Sequence, residues 1–221
     1  MEVSNSTNAL KISVVGDSGT GKSSMILRFL GSSNEMKRRS SGLEGRYKGT
    51  ILSKDGRRFP LNIVDSVDLE YTENMGDYVR AIDSDVVILT YSTNEDASYN
   101  NLFLRCSRLQ KRKDEFSQQG SLPRTLIVGT KSDLVDLKQV PHSSGEKLMR
   151  AFGMDGFIEC SSKSGDNIDK VFSTAVELAL KKRKEEGKMA EPVVTMQKRE
   201  FKEQEVEKPE EAEACCACII M

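Results

Sequence analysis

"LKISVVGDSGTGKSSMILRFLG", Leu10 to Gly31, is the stretch on which the fold turns. Leu10 to Gly16 is a nearly unbroken apolar run, the pattern of a strand covered on both faces. Lys22 to Gly31 reads as a helix that stops at a glycine. Between them "GDSGTGKS", Gly16 to Ser23, has the spacing G-x-x-x-x-G-K-[ST]. The loop follows a strand and opens a helix, which is what the spacing needs in order to work. Its glycines let backbone N–H groups curl around an anion, and the helix N-terminus adds partial positive charge. With glycine at about 7% of residues, a chance match in a chain this long is on the order of 1%. Lys22 would reach the β- and γ-phosphates of a nucleotide, and the Ser23 hydroxyl would bind Mg2+. The competing reading is a glycine-rich turn with a helix-capping serine. The strand before it and the helix after it weigh against that.

Working outward, strand-like runs alternate with helical patterns. "GRYKGTILSKDGRRFPLNIVD" (45–65) reads as a hairpin with Asp55-Gly56 as its turn. "DVVILTYS" (85–92) and "TLIVGT" (125–130) are β-branched buried strands, and "GFIECSS" (156–162) is a last one. Residues 95–113, 143–152 and 167–184 read as helices. The expected fold is α/β: a P-loop, doubly wound, mostly parallel six-stranded sheet with one antiparallel edge strand. The expected divisions are a short extension (1–8), one ligand-binding domain (9–183), a charged linker (184–214) and a terminal motif (215–221). The linker is too poor in core residues to offset its ordering entropy.

The loops after the later strands carry polar groups suited to a base. "TKSD", Thr130 to Asp133, ends strand 125–130. A carboxylate there can accept two hydrogens from a purine with N1–H and a 2-amino group, which is guanine, while the Lys131 stem lies over the ring. Taken alone, this tetrapeptide is more often a turn or a helix cap. "CSSK", Cys160 to Lys163, forms a second polar loop at the same sheet edge. Ligands of such folds bind at the carboxyl ends of the strands. Three suitable loops in one order at that edge are hard to obtain by accident. "TKSD" also weakens an ATP-using kinase or ATPase reading.

With these motifs placed, the chain resembles a small GTPase of the Ras superfamily over residues 9–183. "GDSGTGKS", the aspartate of "DSVD", "TKSD" and "CSSK" stand in the family's order and near its spacing. "TKxD" is similar to the Rho branch, while "GDSG" is closer to Rab and some Ras loops. The resemblance implies GTP/GDP and Mg2+ as ligands. It implies that Gly16, Asp17, Ser18, Gly19, Thr20, Gly21, Lys22, Ser23 and Ser24 hold the phosphates. It further implies that Ser23 and Asp65 organise the metal, Asp65 through a water. Thr130, Lys131 and Asp133 select guanine, and Ser161, Ser162 and Lys163 support it.

The switch segments depart from the family. Its metal-contacting threonine is matched only by Ser41 or Ser40, without the usual proline. The aromatic that covers guanine is hard to find between Gly31 and Arg39, and its absence would let nucleotide leave faster. The family's "DTAGQE" stands here as "DSVDLE", Asp65 to Glu70. Asp68 replaces a hinge glycine and brings negative charge towards the phosphates. Leu69 occupies the position of the water-orienting glutamine and has no polar atom. Slow hydrolysis is expected, by on the order of 10²–10³. A competing reading makes 66–70 an ordinary surface loop. Arg38, three residues before Ser41, is a candidate for an arginine acting in cis, though a solvated or effector-facing "KRR" is the favoured reading.

Composition bounds the partners. Lys+Arg number 33 and Asp+Glu 34, a net charge of -1 that argues against non-specific nucleic-acid binding. Neither a transmembrane run nor a secretory leader is read, so thiols are expected to stay reduced. Cys106 and Cys160 read as buried, and His142, the single histidine, offers no zinc spacing. Cys218-Ile219-Ile220-Met221 fits C-a-a-X, with Met favouring farnesyl. One prenyl chain anchors marginally and the preceding linker is acidic, so a second lipid at Cys215 or Cys216 is expected. The resulting expectation is a membrane-anchored switch on the cytoplasmic face, at the plasma membrane. Effector proteins would meet it through 36–50 and 66–80, with an exchange factor and a GTPase-activating protein as further partners. The alternative is a GTPase-like scaffold that binds effectors without cycling.

Overall fold

The computed structural model describes residues 9–31, 39–40, 44–52, 56–66, 84–116 and 122–188. Strand β1 (Leu10–Gly16) leads through the loop to helix α1 (Lys22–Leu30), and Gly31 ends the helix at φ 70°. Then come β2 (Arg39–Ser40), β3 (Glu44–Leu52), β4 (Arg58–Ser66) and β5 (Val86–Ser92). Helix α2 (Asp96–Phe116), β6 (Arg124–Thr130), α3 (His142–Ala151), β7 (Gly156–Glu159) and α4 (Ile168–Glu185) complete the order.

The strands run β2-β3-β4-β1-β5-β6-β7 across one sheet. β1 pairs in parallel with β4 and β5, and β5–β6–β7 continue in parallel. β3 is antiparallel to β4. These are the six strands expected, with β3 the antiparallel one. The two-residue β2 pairs outside β3 and extends that edge; two residues are too short to leave a period in the sequence. The hairpin register closes at Leu52↔Arg58, and Gly56 between them takes a positive φ (77°), a conformation that favours glycine.

All seven residues of β5 are buried, because side chains alternate between two covered faces. Val86 and Ile88 join Ile12, Val14 and Leu61 against α1 and α4, where Met25, Val171, Phe172 and Ala175 fill the layer. Val87, Leu89 and Tyr91 join Leu102, Cys106 and Leu148 against α2 and α3. Each fully buried Leu, Ile or Val stabilises the sheet by about 1.5–3 kcal/mol. Both described cysteines are buried, as expected. Burial, and next Glu159, push the Cys160 thiol up to about 12, so it stays protonated.

The sheet's amino end is closed by α4. Arg183 pairs with Asp85 through Nη2 (2.6 Å) and Nε (2.9 Å). Its Nη2 also donates to the Ala9 carbonyl at 2.7 Å, and Lys182 Nζ donates to the Ser84 carbonyl at 3.1 Å. From the sequence, Lys181 to Lys184 read as cations facing their own helix dipole. Lys182, Arg183 and Lys184 do stand in its last turn, and Lys182 and Arg183 are in addition buried clamps on the residues just before β1 and β5.

Candidate phosphate and base site

The phosphate loop leaves β1 at Gly16, which pairs with Thr90 of β5. A Cβ on Gly16 would stand 2.1 Å from Thr90 Oγ1 and 2.4 Å from the Thr90 carbonyl, so only glycine fits. Gly21, at φ 91°, turns the chain into α1 in a conformation other residues rarely adopt. Thr20 Oγ1 donates to the Asp17 carbonyl at 2.8 Å and lies 3.2 Å from Thr90 Oγ1, which in turn donates to the Val15 carbonyl at 3.1 Å. Lys22 is buried, and its Nζ donates to the carbonyls of Gly16 (2.8 Å) and Asp17 (2.7 Å). The ammonium is therefore held within the curl of the loop.

Loop, helix start and β4 enclose a pocket of about 250 Å³ lined by Ser18, Gly19, Gly21, Lys22, Ser23, Ser24 and Asp65. Asp65 reaches it because β4 pairs with β1 in register Val14↔Asp65. Ser23 Oγ donates to Asp65 Oδ2 at 2.5 Å. Asp65 Oδ1 is buried and has no hydrogen-bond partner among the described residues. A hydroxyl beside a carboxylate with a spare buried oxygen is a hard-oxygen donor set, which fits Mg2+.

The base loops meet the phosphate loop from the side. Thr130 Oγ1 has its single hydrogen between two acceptors, the Thr20 carbonyl in a short contact and the Tyr91 carbonyl at 3.0 Å. Lys131 stands at φ 59°, unusual for a non-glycine residue, and its carbonyl accepts from Thr93 Oγ1 at 3.2 Å. Ser161 Oγ donates to Asp133 Oδ1 at 2.6 Å while accepting the N–H groups of Lys163 and Ser164, each at 3.1 Å. That aims the Asp133 carboxylate and leaves its second oxygen outside this contact. Ser162 is half-buried and Lys163 exposed at the same loop. Arg28 Nη2 reaches the Ser164 carbonyl at 3.4 Å, tying α1 to this loop.

The loop residues, Asp65 and both base loops thus come together at the carboxyl ends of β1, β4, β5, β6 and β7. Arg38, Ser41, Asp68, Leu69, Cys215, Cys216 and Cys218 lie outside the described residues. Sequence reasoning missed Thr90, Asn101 and Arg105. Arg105 Nη2 lies 2.6 Å from Asp17 Oδ1, and Asn101 Nδ2 donates to Asp17 Oδ2 at 2.7 Å. Their four-residue spacing on a helix was the available signal, but nothing in it names the partner.

Comparison with known proteins agrees with this geometry. The family model described as "Ras family" matches residues 11–181. Ras-related protein Rab-26 of Rattus norvegicus is 30% identical over 176 residues, which is 79% of this chain and 65% of that protein. The chain therefore spans just under two thirds of the length of Rab-26. Ras-like protein rasX of Dictyostelium discoideum is 27% identical over 79% of this chain and 78% of its own. Ras-related protein RABE1e of Arabidopsis thaliana is 25% identical over 95% and 93%.

Proposed function

Because this chain belongs to the Ras family of small GTPases, and so is a GTP-binding switch that takes GTP or GDP with Mg2+, we propose that it is a slow-hydrolysing one that works from a lipid anchor. The observation that carries the nucleotide-binding part of this reading is the pocket lined by Lys22, Ser23 and Asp65 at the loop. In this reading the loop N–H groups and Lys22 bind the phosphates. Ser23 and Asp65 would hold the metal, which when bound would supply positive charge against the phosphates. Asp133, aimed by Ser161, reads guanine, and Thr130 couples the base loop to the phosphate loop. Domain 9–183 does the binding, 184–214 is the tether, and 215–221 carries farnesyl at Cys218 with palmitoyl at Cys215 or Cys216. Effectors meet residues 36–50 and 66–80.

Slow turnover rests on Asp68 and Leu69. Without a side chain to orient water, the barrier loses a positioning term of several kcal/mol. The test restores the missing groups: Asp68→Gly with Leu69→Gln is expected to raise single-turnover hydrolysis by roughly 10²-fold. An unchanged rate would contradict the assignment. A non-cycling scaffold is the second reading, favoured by the same "DSVDLE". It predicts that neither form turns over. For the anchor, a Cys215/Cys216 double serine variant that stays fully membrane-bound would remove the second lipid from the account. Among the described residues no helix is long and apolar enough to cross a membrane.

A further inference from the structure

Asp17 is the second residue of the phosphate loop, and only a tenth of its side chain is exposed. A carboxylate there creates an electrostatic conflict. It stands in a loop whose work is to attract anions, and a nearly buried charge is costly unless paired. Helix α2 resolves this from two positions one turn apart, where Arg105 takes Oδ1 and Asn101 takes Oδ2. The backbone carbonyl of the same residue accepts from Lys22 and Thr20. Asp17 is therefore the joint through which α2 touches the loop lysine. Counting formal charges, Arg105 offsets Asp17, which leaves Lys22 to balance Asp65, the carboxylate of the pocket itself.

We propose that Arg105 is a positioning residue for nucleotide retention. By holding Asp17 it keeps the loop's field positive and its backbone N–H groups aimed into the pocket. It thereby sets how slowly GDP and GTP leave. Arg105 acts through Asp17 and does not touch the phosphates itself. The inference rests on the guanine-nucleotide reading of the same pocket and adds a helix that lies outside its motifs.

The test is the release rate of fluorescent GDP from the full chain with Mg2+, chased by excess unlabelled GDP. Arg105→Ala leaves the Asp17 carboxylate short of its cation and is expected to release nucleotide roughly 10–100-fold faster. Arg105→Lys keeps the charge but loses the planar fork, and recovers part of the difference. Asp17→Asn combined with Arg105→Ala removes both charges and returns release to within about fivefold of the native chain, a non-additive result. Should the alanine variant not fold, the lysine and double variants carry the test, since they keep or remove the charges together. Release within twofold of native for every variant overturns the proposal. So does a double variant that releases as fast as Arg105→Ala. A lowered unfolding temperature with unchanged release makes the pair a structural clamp only, and equally overturns it. Native protein that holds no guanine nucleotide would overturn this inference and the switch reading together. Tight native binding with indifferent Arg105 variants overturns this inference alone.

Discussion

Two arginine–aspartate pairs hold opposite ends of the same sheet. At the amino end Arg183 grips Asp85 with two nitrogens, the pair 11% and 11% exposed. At the carboxyl end Arg105 grips Asp17 with one, at 15% and 10% exposed. Chemistry and burial are nearly matched, but the surroundings are not. Asp85, just before β5, also accepts the Lys11 N–H of β1 at 2.8 Å, and Arg183 reaches the Ala9 carbonyl just before β1. Asp17 sits in a loop that borders an open pocket. The same pair of side chains is a fastener in one place and a tuning element in the other. What decides is whether a ligand-sized space lies beside it.

That contrast can be broken by mutation. The largest effect should come from Gly16→Ala, at the pocket end. The new Cβ meets Thr90 backbone, which cannot move without parting β1 from β5. GTP affinity measured by titration is expected to fall more than about 100-fold, the loss of a whole set of loop contacts. Next is Arg183→Ala. It leaves Asp85 buried without its cation, at a cost of about 3–5 kcal/mol in urea unfolding. Nucleotide release from the folded protein should change less than about twofold, because additivity holds between distant sites. A large change in release would erase the distinction between the two ends. Smallest is Ser161→Ala. It removes the hydroxyl that aims Asp133, so guanine binding should weaken by about 1–2 kcal/mol, and unfolding should shift by a similar amount because the Lys163 and Ser164 N–H groups lose their acceptor. Competition between guanine and inosine nucleotides, which differ in the 2-amino group, would show the loss.

Much of this was legible because it is local. β1 runs from Leu10 to Gly16, as its apolar run predicts, and α1 stops before Gly31. The loop motif, "TKSD" and "CSSK" announce themselves by residue type and spacing, and strand order brings them to one edge. The β7 strand ends at Glu159, short of the expected 162, because Ser161 turns away to hold Asp133. Helix α2 runs to Phe116, past the expected 113. What sequence could not give are pairs that only the fold creates. Arg105 is 88 residues from Asp17 and Arg183 is 98 from Asp85. No periodicity links such positions. A basic run at a helix end looks the same whether it faces solvent or a buried aspartate. The Thr90 hydroxyl shows the same limit: it is an ordinary strand residue until the fold sets it beside Thr20, and the contact between Thr20 and Thr130, each legible in its motif, is likewise made only by the fold.

One experiment bears most directly on the whole account. The full chain is loaded with labelled GTP and Mg2+, and bound nucleotide and released phosphate are followed together. The account predicts tight, guanine-selective retention with phosphate release on the order of 10²–10³ slower than from a family member that carries the usual glutamine. Phosphate release at that member's rate, or a pocket that retains no guanine nucleotide, would contradict it.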